Sequence, residues 1–87
     1  MIRSFGSKLA EDIYDGTNSR DEKARRLLDQ INAATRVETL DVPPSNKLRK
    51  LAGNLSGFWR IKINPQWAII FHWVNGEAWD IDIVDYH

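Results

Sequence analysis

The interval between apolar residues changes partway along this chain, and the change marks two kinds of structure. In the first part, Ala24, Leu27, Leu28, Ile31 and Ala34 recur every three or four residues, with Arg20, Lys23, Arg26 and Asp29 elsewhere around the wheel. That spacing predicts an amphipathic helix from about Arg20 to Ala34. Ser19 followed three residues later by Glu22 is a capping-box pattern at its start. A shorter helix is expected from roughly Lys8 to Tyr14, with Ser7 as its cap, Leu9, Ile13 and Tyr14 on its apolar side, and Gly16 ending it. Ahead of it, Met1 to Phe5 reads as a short strand whose apolar members are Ile2 and Phe5.

In the last part the period falls to two. Trp59, Ile61 and Ile63 alternate with Arg60 and Lys62, which gives one buried and one basic face. Asn64-Pro65 makes a turn. Trp67, Ile69, Phe71 and Trp73 then share one face of the next strand, with Ile70, His72 and Val74 on the other. Asn75-Gly76 is a strong hairpin signal. The final strand, Ala78 to Val84, is expected to place Trp79, Ile81 and Ile83 inward and Asp80 and Asp82 outward. Between the two parts, Thr35 to Gly57 is a connection. Pro43-Pro44 cannot continue a helix, Lys47 to Leu51 suits a short edge strand, and Gly53-Asn54 and Ser56-Gly57 bracket Leu55 with turns. The sum is one α+β domain over residues 1–87, with an N-terminal strand and two helices on one face of a twisted antiparallel sheet.

Composition narrows the picture. The chain has 87 residues, 43% of them hydrophobic, so packing must do most of the stabilising work in a small core. With no cysteine, neither a disulfide nor a thiolate metal site is possible. Arg3, Lys8, Glu11 and Asp12 interrupt any apolar run at the start, so no signal peptide is expected. Trp67 to Phe71 is too short to span a bilayer, and the expected location is the cytoplasm. The formal net charge of zero conceals a gradient. Lys47, Arg49, Lys50, Arg60 and Lys62 fall in a segment from Pro43 to Trp73 that has no acid, whereas Glu77, Asp80, Asp82 and Asp85 fall in a tail that has no Lys or Arg. A basic central segment suits an anion such as RNA phosphate; a solvated strand face balanced by an acidic neighbour accounts for the charges equally well.

Candidate chemistry is sparse. His72 and His87 are the only histidines and lack metal-ligand spacing, so no metal or other cofactor is expected. No phosphate-binding glycine loop or nucleophile elbow occurs. The ending Asp85-Tyr86-His87 combines an imidazole suited to proton transfer near neutrality, a ring able to stack on a base, and a carboxylate able to orient the imidazole. Arg60, mid-strand and opposite in face to Trp59 and Ile61, is the most attractive cation for charge that develops at phosphorus.

Several longer runs then agree in order. Met1-Ile2-Arg3-Ser4-Phe5, the Pro-Pro-x-Asn-x-Leu-x-x-Leu-x-Gly run from Pro43 to Gly53, Gly57-x-x-Arg-Ile-x-Ile-Asn-x-Gln-Trp through Trp67, Phe71-x-Trp-x-x-Gly and the closing Val84-Asp85-Tyr86-His87 resemble HigB-like toxins of the RelE/ParE superfamily. The resemblance spans essentially the whole chain. It implies the toxin component of a type II toxin–antitoxin system, a ribosome-dependent mRNA interferase that uses the substrate 2′-hydroxyl as nucleophile and needs no metal. The implied partners are the ribosome and its mRNA, and a HigA-like helix-turn-helix antitoxin through which alone operator DNA is reached. A shared fold also leaves a ParE-like inhibitor of DNA gyrase, without nuclease activity, as the alternative.

By position, the resemblance makes Asp85, Tyr86 and His87 the active-site cluster, with His87 the leading proton-transfer group and Arg60 a catalytic cation. It makes Lys47, Arg49 and Lys50 further active-site or RNA-contacting residues, and the basic strand face adds Lys62 to them as a substrate-binding cation. Some members have a histidine where Arg49 stands; an arginine stabilises phosphate charge but is no base at neutral pH. The family usually reads Gln-Trp-Arg, whereas this chain has Gln66-Trp67-Ala68. A cation expected among the substrate contacts is thus replaced by Ala68, through natural divergence, weakening of the toxin, or deliberate substitution to tolerate a lethal protein. The last is the favoured reading, and it implies an attenuated chain.

Overall fold

The computed structural model describes residues 1–16 and 22–85. Two helices, α1 (Lys8–Asp15) and α2 (Glu22–Ala33), precede four strands: β1 (Arg49–Lys50), β2 (Phe58–Lys62), β3 (Trp67–Val74) and β4 (Glu77–Asp85). Ser19 and Arg20, expected at the start of α2, lie outside the described residues.

Helix α1 begins and ends as its sequence implies. The Ser7 side chain accepts from the Ala10 N–H, and Gly16, in the left-handed region at φ 83°, donates its N–H to the Asp12 and Ile13 carbonyls. Ala10, Ile13 and Tyr14 form its inner side; Leu9, expected there, is 40% exposed because the stripe that meets the sheet runs one residue later. Helix α2 buries Ala24, Leu27, Leu28 and Ile31, as its periodicity predicts.

The strands run β1-β2-β3-β4 as an antiparallel meander. Each connection is local, which is what turns such as Asn75-Gly76 produce: both residues take positive φ, 52° and 78°, in the manner of a two-residue hairpin loop. At the β2–β3 turn, the Asn64 Oδ1 accepts from the N–H groups of Gln66 and Trp67, both at 2.8 Å. The helices cover one face, where Ile61, Ile63, Ile69, Phe71, Ala78, Ile81 and Ile83 are buried with Leu28, Ile31 and Leu40. Full burial of such a side chain contributes about 1.5–3 kcal/mol, which makes this layer the main source of stability.

Three expectations need correction. The N-terminal segment does not form a continuous strand; Ile2 and Phe5 make single parallel bridges to Ala78 and Ile81. The connection from Thr35 to Gly57 does contain the expected short edge strand, as β1, but also folds into 3-10 turns at Val37–Asp41, Pro44–Asn46 and Gly53–Leu55 that the sequence pattern does not mark. Asn46 pins it: 3% exposed, it donates its amide to the Leu40 carbonyl at 2.9 Å, while Gln30 donates to the Val42 carbonyl at 2.8 Å.

Strand β4 also departs from its expected pattern. Its alternation breaks at a bulge opposite Phe71, where Asp80 takes φ 55°. The bulged N–H donates to the Ser4 hydroxyl at 2.8 Å. One extra residue reverses the parity of everything before it. Ala78, not Trp79, therefore faces the core with Ile81 and Ile83, and Trp79 turns to the other side, 38% exposed. Asp80 and Asp82 accordingly do not share a plain outward row: Asp82 pairs with Ile70, and Asp80 is tied to Ser4.

Candidate nucleic-acid interface

The sheet face away from the helices collects most of the cations singled out from sequence. Register places Arg49 opposite Arg60, Arg60 opposite Ile70, and Lys62 opposite Ala68, so Arg49, Arg60 and Lys62 share this face. Lys50 does not join them. It pairs with Trp59, and its ammonium lies 5.8 Å from the Trp59 ring centroid, on the helix side of the sheet. Strand alternation separates the neighbours Arg49 and Lys50 in this way.

Arg60 is 5% exposed, and its Nη2 donates to the Lys47 carbonyl at 2.9 Å. A guanidinium held in that position orders the start of β1 and places a charge beneath the surface. Lys47 itself sits in the left-handed region at φ 51°, just after the 3-10 turn that ends at Asn46. Arg49 is exposed and Lys62 half-buried.

Beyond Arg60 the outer edge of β2 has no β1 partner. An open groove of about 190 Å³ lies there, lined by Lys23, Ser45, Lys47, Lys62 and Asn64 among others. Lys23 was not singled out by sequence. It belongs to the first turn of α2, and only the tertiary fold brings it near Lys47 and Lys62, so no local signal marked it. Three ammonium-bearing side chains around one open groove favour an anionic occupant.

Ala68 is on the same face as Lys62, with Val84 as its other register partner, and is fully covered at 0% exposure. The remaining member of the expected cluster within the described residues is Asp85. It pairs with Trp67, on the side opposite to Ala68 and Val84, and its Oδ2 accepts from the Gln66 side chain at 3.3 Å. Tyr86 and His87 lie outside the described residues. Among the described residues no three His, Asp or Glu side chains gather as a metal ion would require. No helix there is long and apolar enough to cross a membrane.

Comparison with known proteins is concordant. Residues 9–87 match a family described as the RelE-like toxin of the type II toxin–antitoxin system HigB. The chain is 33% identical over 90 aligned positions to toxin HigB-1 of Vibrio cholerae, covering 90% of each chain. It is 32% identical over 93 positions to the endoribonuclease HigB of Proteus vulgaris, covering all of both. Among solved structures, the YoeB-YefM toxin–antitoxin heterotetramer from Staphylococcus aureus contains a chain that superposes with a TM-score of 0.62 at 19% identity, over 100% of this chain and 98% of that one. The YoeB dimer from the same organism gives 0.59 at 19%, over 99% and 97%. At such identities the structural likeness establishes the fold.

Proposed function

Because this chain belongs to the HigB-like family of RelE-like toxins from type II toxin–antitoxin systems, we propose that it is an endoribonuclease that cuts messenger RNA on the ribosome in the cytoplasm. The observation that carries this reading is the full-length relation to a protein named endoribonuclease HigB. The placement of Arg49 and Lys62 on one sheet face, with the buried Arg60 beside them, supports it, since a phosphodiester needs cations on a surface that a strand of RNA can reach.

In this reading the 2′-hydroxyl attacks the adjacent phosphorus as a base takes its proton. The 5′-oxygen leaves with a proton from an acid, and the product is a cyclic phosphate. His87 is the proton-transfer group, with Tyr86 and Asp85 beside it in sequence. Arg49 and Lys62 hold phosphate oxygens, and Lys47 does so from the groove. Arg60, held beneath the surface, adds its field and fixes the loop that presents Lys47. Lys50, on the other side of the sheet, contacts RNA outside this centre. Ala68 leaves the centre one cation short of the family pattern, so turnover is attenuated. The partner antitoxin is HigA-like, and operator DNA is reached through it.

The test is primer extension on message from cells that express the chain, its Ala68→Arg form and the His87→Gln form of each. Codon-linked cuts that vanish with His87→Gln, at an unchanged melting temperature, are the expected result. Intact message accompanied by DNA damage would replace this reading with gyrase inhibition.

A further inference from the structure

The sheet face that carries the cations also carries an aromatic row that no step of the proposed chemistry uses. Phe58 pairs in register with His72, and His72 pairs with Trp79, so three ring-bearing residues lie side by side across β2, β3 and β4. The Phe58 and His72 rings stack with centroids 3.8 Å apart and planes tilted by 31°. His72 Nδ1 lies 3.0 Å from the Gly57 carbonyl oxygen. A carbonyl only accepts, so this nitrogen carries a proton and the ring is fixed in orientation, leaving Nε2 for another partner.

Trp79 completes the row only because of the bulge. Strict alternation would bury it beside Ile81 and Ile83, yet the extra residue at Asp80, secured by Ser4, turns it outward. A large apolar ring exposed by a dedicated backbone irregularity is the opposite of what core packing favours. Arg3 adds charge beside it, with its guanidinium carbon 6.0 Å from the Trp79 ring centroid and its Nε 3.1 Å from Glu77.

We propose that Phe58, His72 and Trp79 form a stacking platform for unpaired nucleobases of single-stranded RNA, next to the phosphate-binding cations. The proposal rests on the ribonuclease reading for the identity of the strand. Charge complementarity on β2 favours RNA as the occupant: Phe58 is followed on the same face, at about 7 Å intervals, by the buried Arg60 and the half-buried Lys62, while on β4 Glu77, which flanks Trp79, is paired with Arg3, and Asp82 lies beyond it. A chain with flat bases and regularly spaced phosphates meets rings at one end of that line and cations at the other. Stacking on rings is tolerant of base identity, so the platform holds the strand in place and does not select a sequence.

The experiment measures binding of the full chain to a 2′-O-methyl oligoadenylate, which lacks the attacking hydroxyl, and to an abasic oligomer of equal length. Trp79→Ala is expected to weaken binding of the oligoadenylate by about 5- to 150-fold, with the salt dependence unchanged and the abasic oligomer unaffected. Trp79→Tyr restores binding, and His72→Ala repeats the loss at a second position if Trp79→Ala proves unstable. Equal binding of oligoadenylate by wild type and both alanine variants, with message still cut by wild type, overturns the platform and leaves the ribonuclease reading in place. Loss of oligoadenylate binding in the variants of a chain that cuts no message supports the platform and removes the ribonuclease reading. Normal RNA binding with loss of purified antitoxin binding, or of self-association, overturns the platform in favour of a protein interface.

Discussion

The two faces of the sheet are built from the same strands under different rules. Facing the helices, Ile61, Ile63, Ile69, Phe71, Ala78, Ile81 and Ile83 form a uniform aliphatic and aromatic layer that is almost wholly buried. Facing away, Arg49, Phe58, Arg60, Lys62, Ala68, Ile70, His72, Trp79 and Asp82 mix charge, rings and small residues. The first face answers to one requirement, removal of apolar surface from water, and any well-shaped hydrophobe meets it. On the ribonuclease reading proposed above, the second answers to a ligand, and identity matters there residue by residue. Stability should therefore be concentrated on one side and specificity on the other.

Phe71→Ala breaks the comparison from the stable side and carries the largest expected effect. Its fully buried ring packs near Trp73 with centroids 6.3 Å apart, and truncation should cost about 3–5 kcal/mol, read as a lower denaturation midpoint. In a chain this small that loss is a large fraction of the whole stability.

Ala68→Arg tests how tightly the face away from the helices is packed at a covered position. The methyl group is fully covered, so the larger side chain should cost about 1–3 kcal/mol of stability while raising RNA cleavage. A stabilised variant, or one with unchanged cleavage, would show that position 68 belongs to neither requirement as described. At the small end, Arg49→Gln on the exposed edge should shift stability by less than about 0.5 kcal/mol. RNA binding should nevertheless weaken uniformly across sequences, with the salt slope reduced by about one unit. A denaturant titration beside a salt series separates the two effects.

The same division governs what could be read from the chain beforehand. Helix α2, both caps of α1 and the hairpin at Asn75-Gly76 follow from periods and turn residues, because those signals are local. The bulge at Asp80 did not follow, since the hydrogen bond that secures it runs from the Asp80 N–H to Ser4, near the other end of the chain. With it went the side on which Trp79 lies. Arg49, Arg60 and Lys62 were legible as a basic set, but Lys50 was separated from them by register and Lys23 joined the groove through tertiary packing alone. Asn46, noticed only as part of a recurring run, turns out to satisfy buried carbonyls of the connection. The roles of Asp85, Tyr86 and His87 rest on resemblance, and two of those residues lie outside the described region.

The seam between the first few residues and β4 has a kinetic meaning. Strands β1 to β4 can zip by successive nearest-neighbour hairpins, each closing a short loop. The Ser4–Asp80 contacts instead join residues 76 positions apart, and they gain nothing until the hairpins already stand. That seam is therefore expected to fasten after the β3–β4 hairpin, which by its own register already sets Trp79 opposite His72.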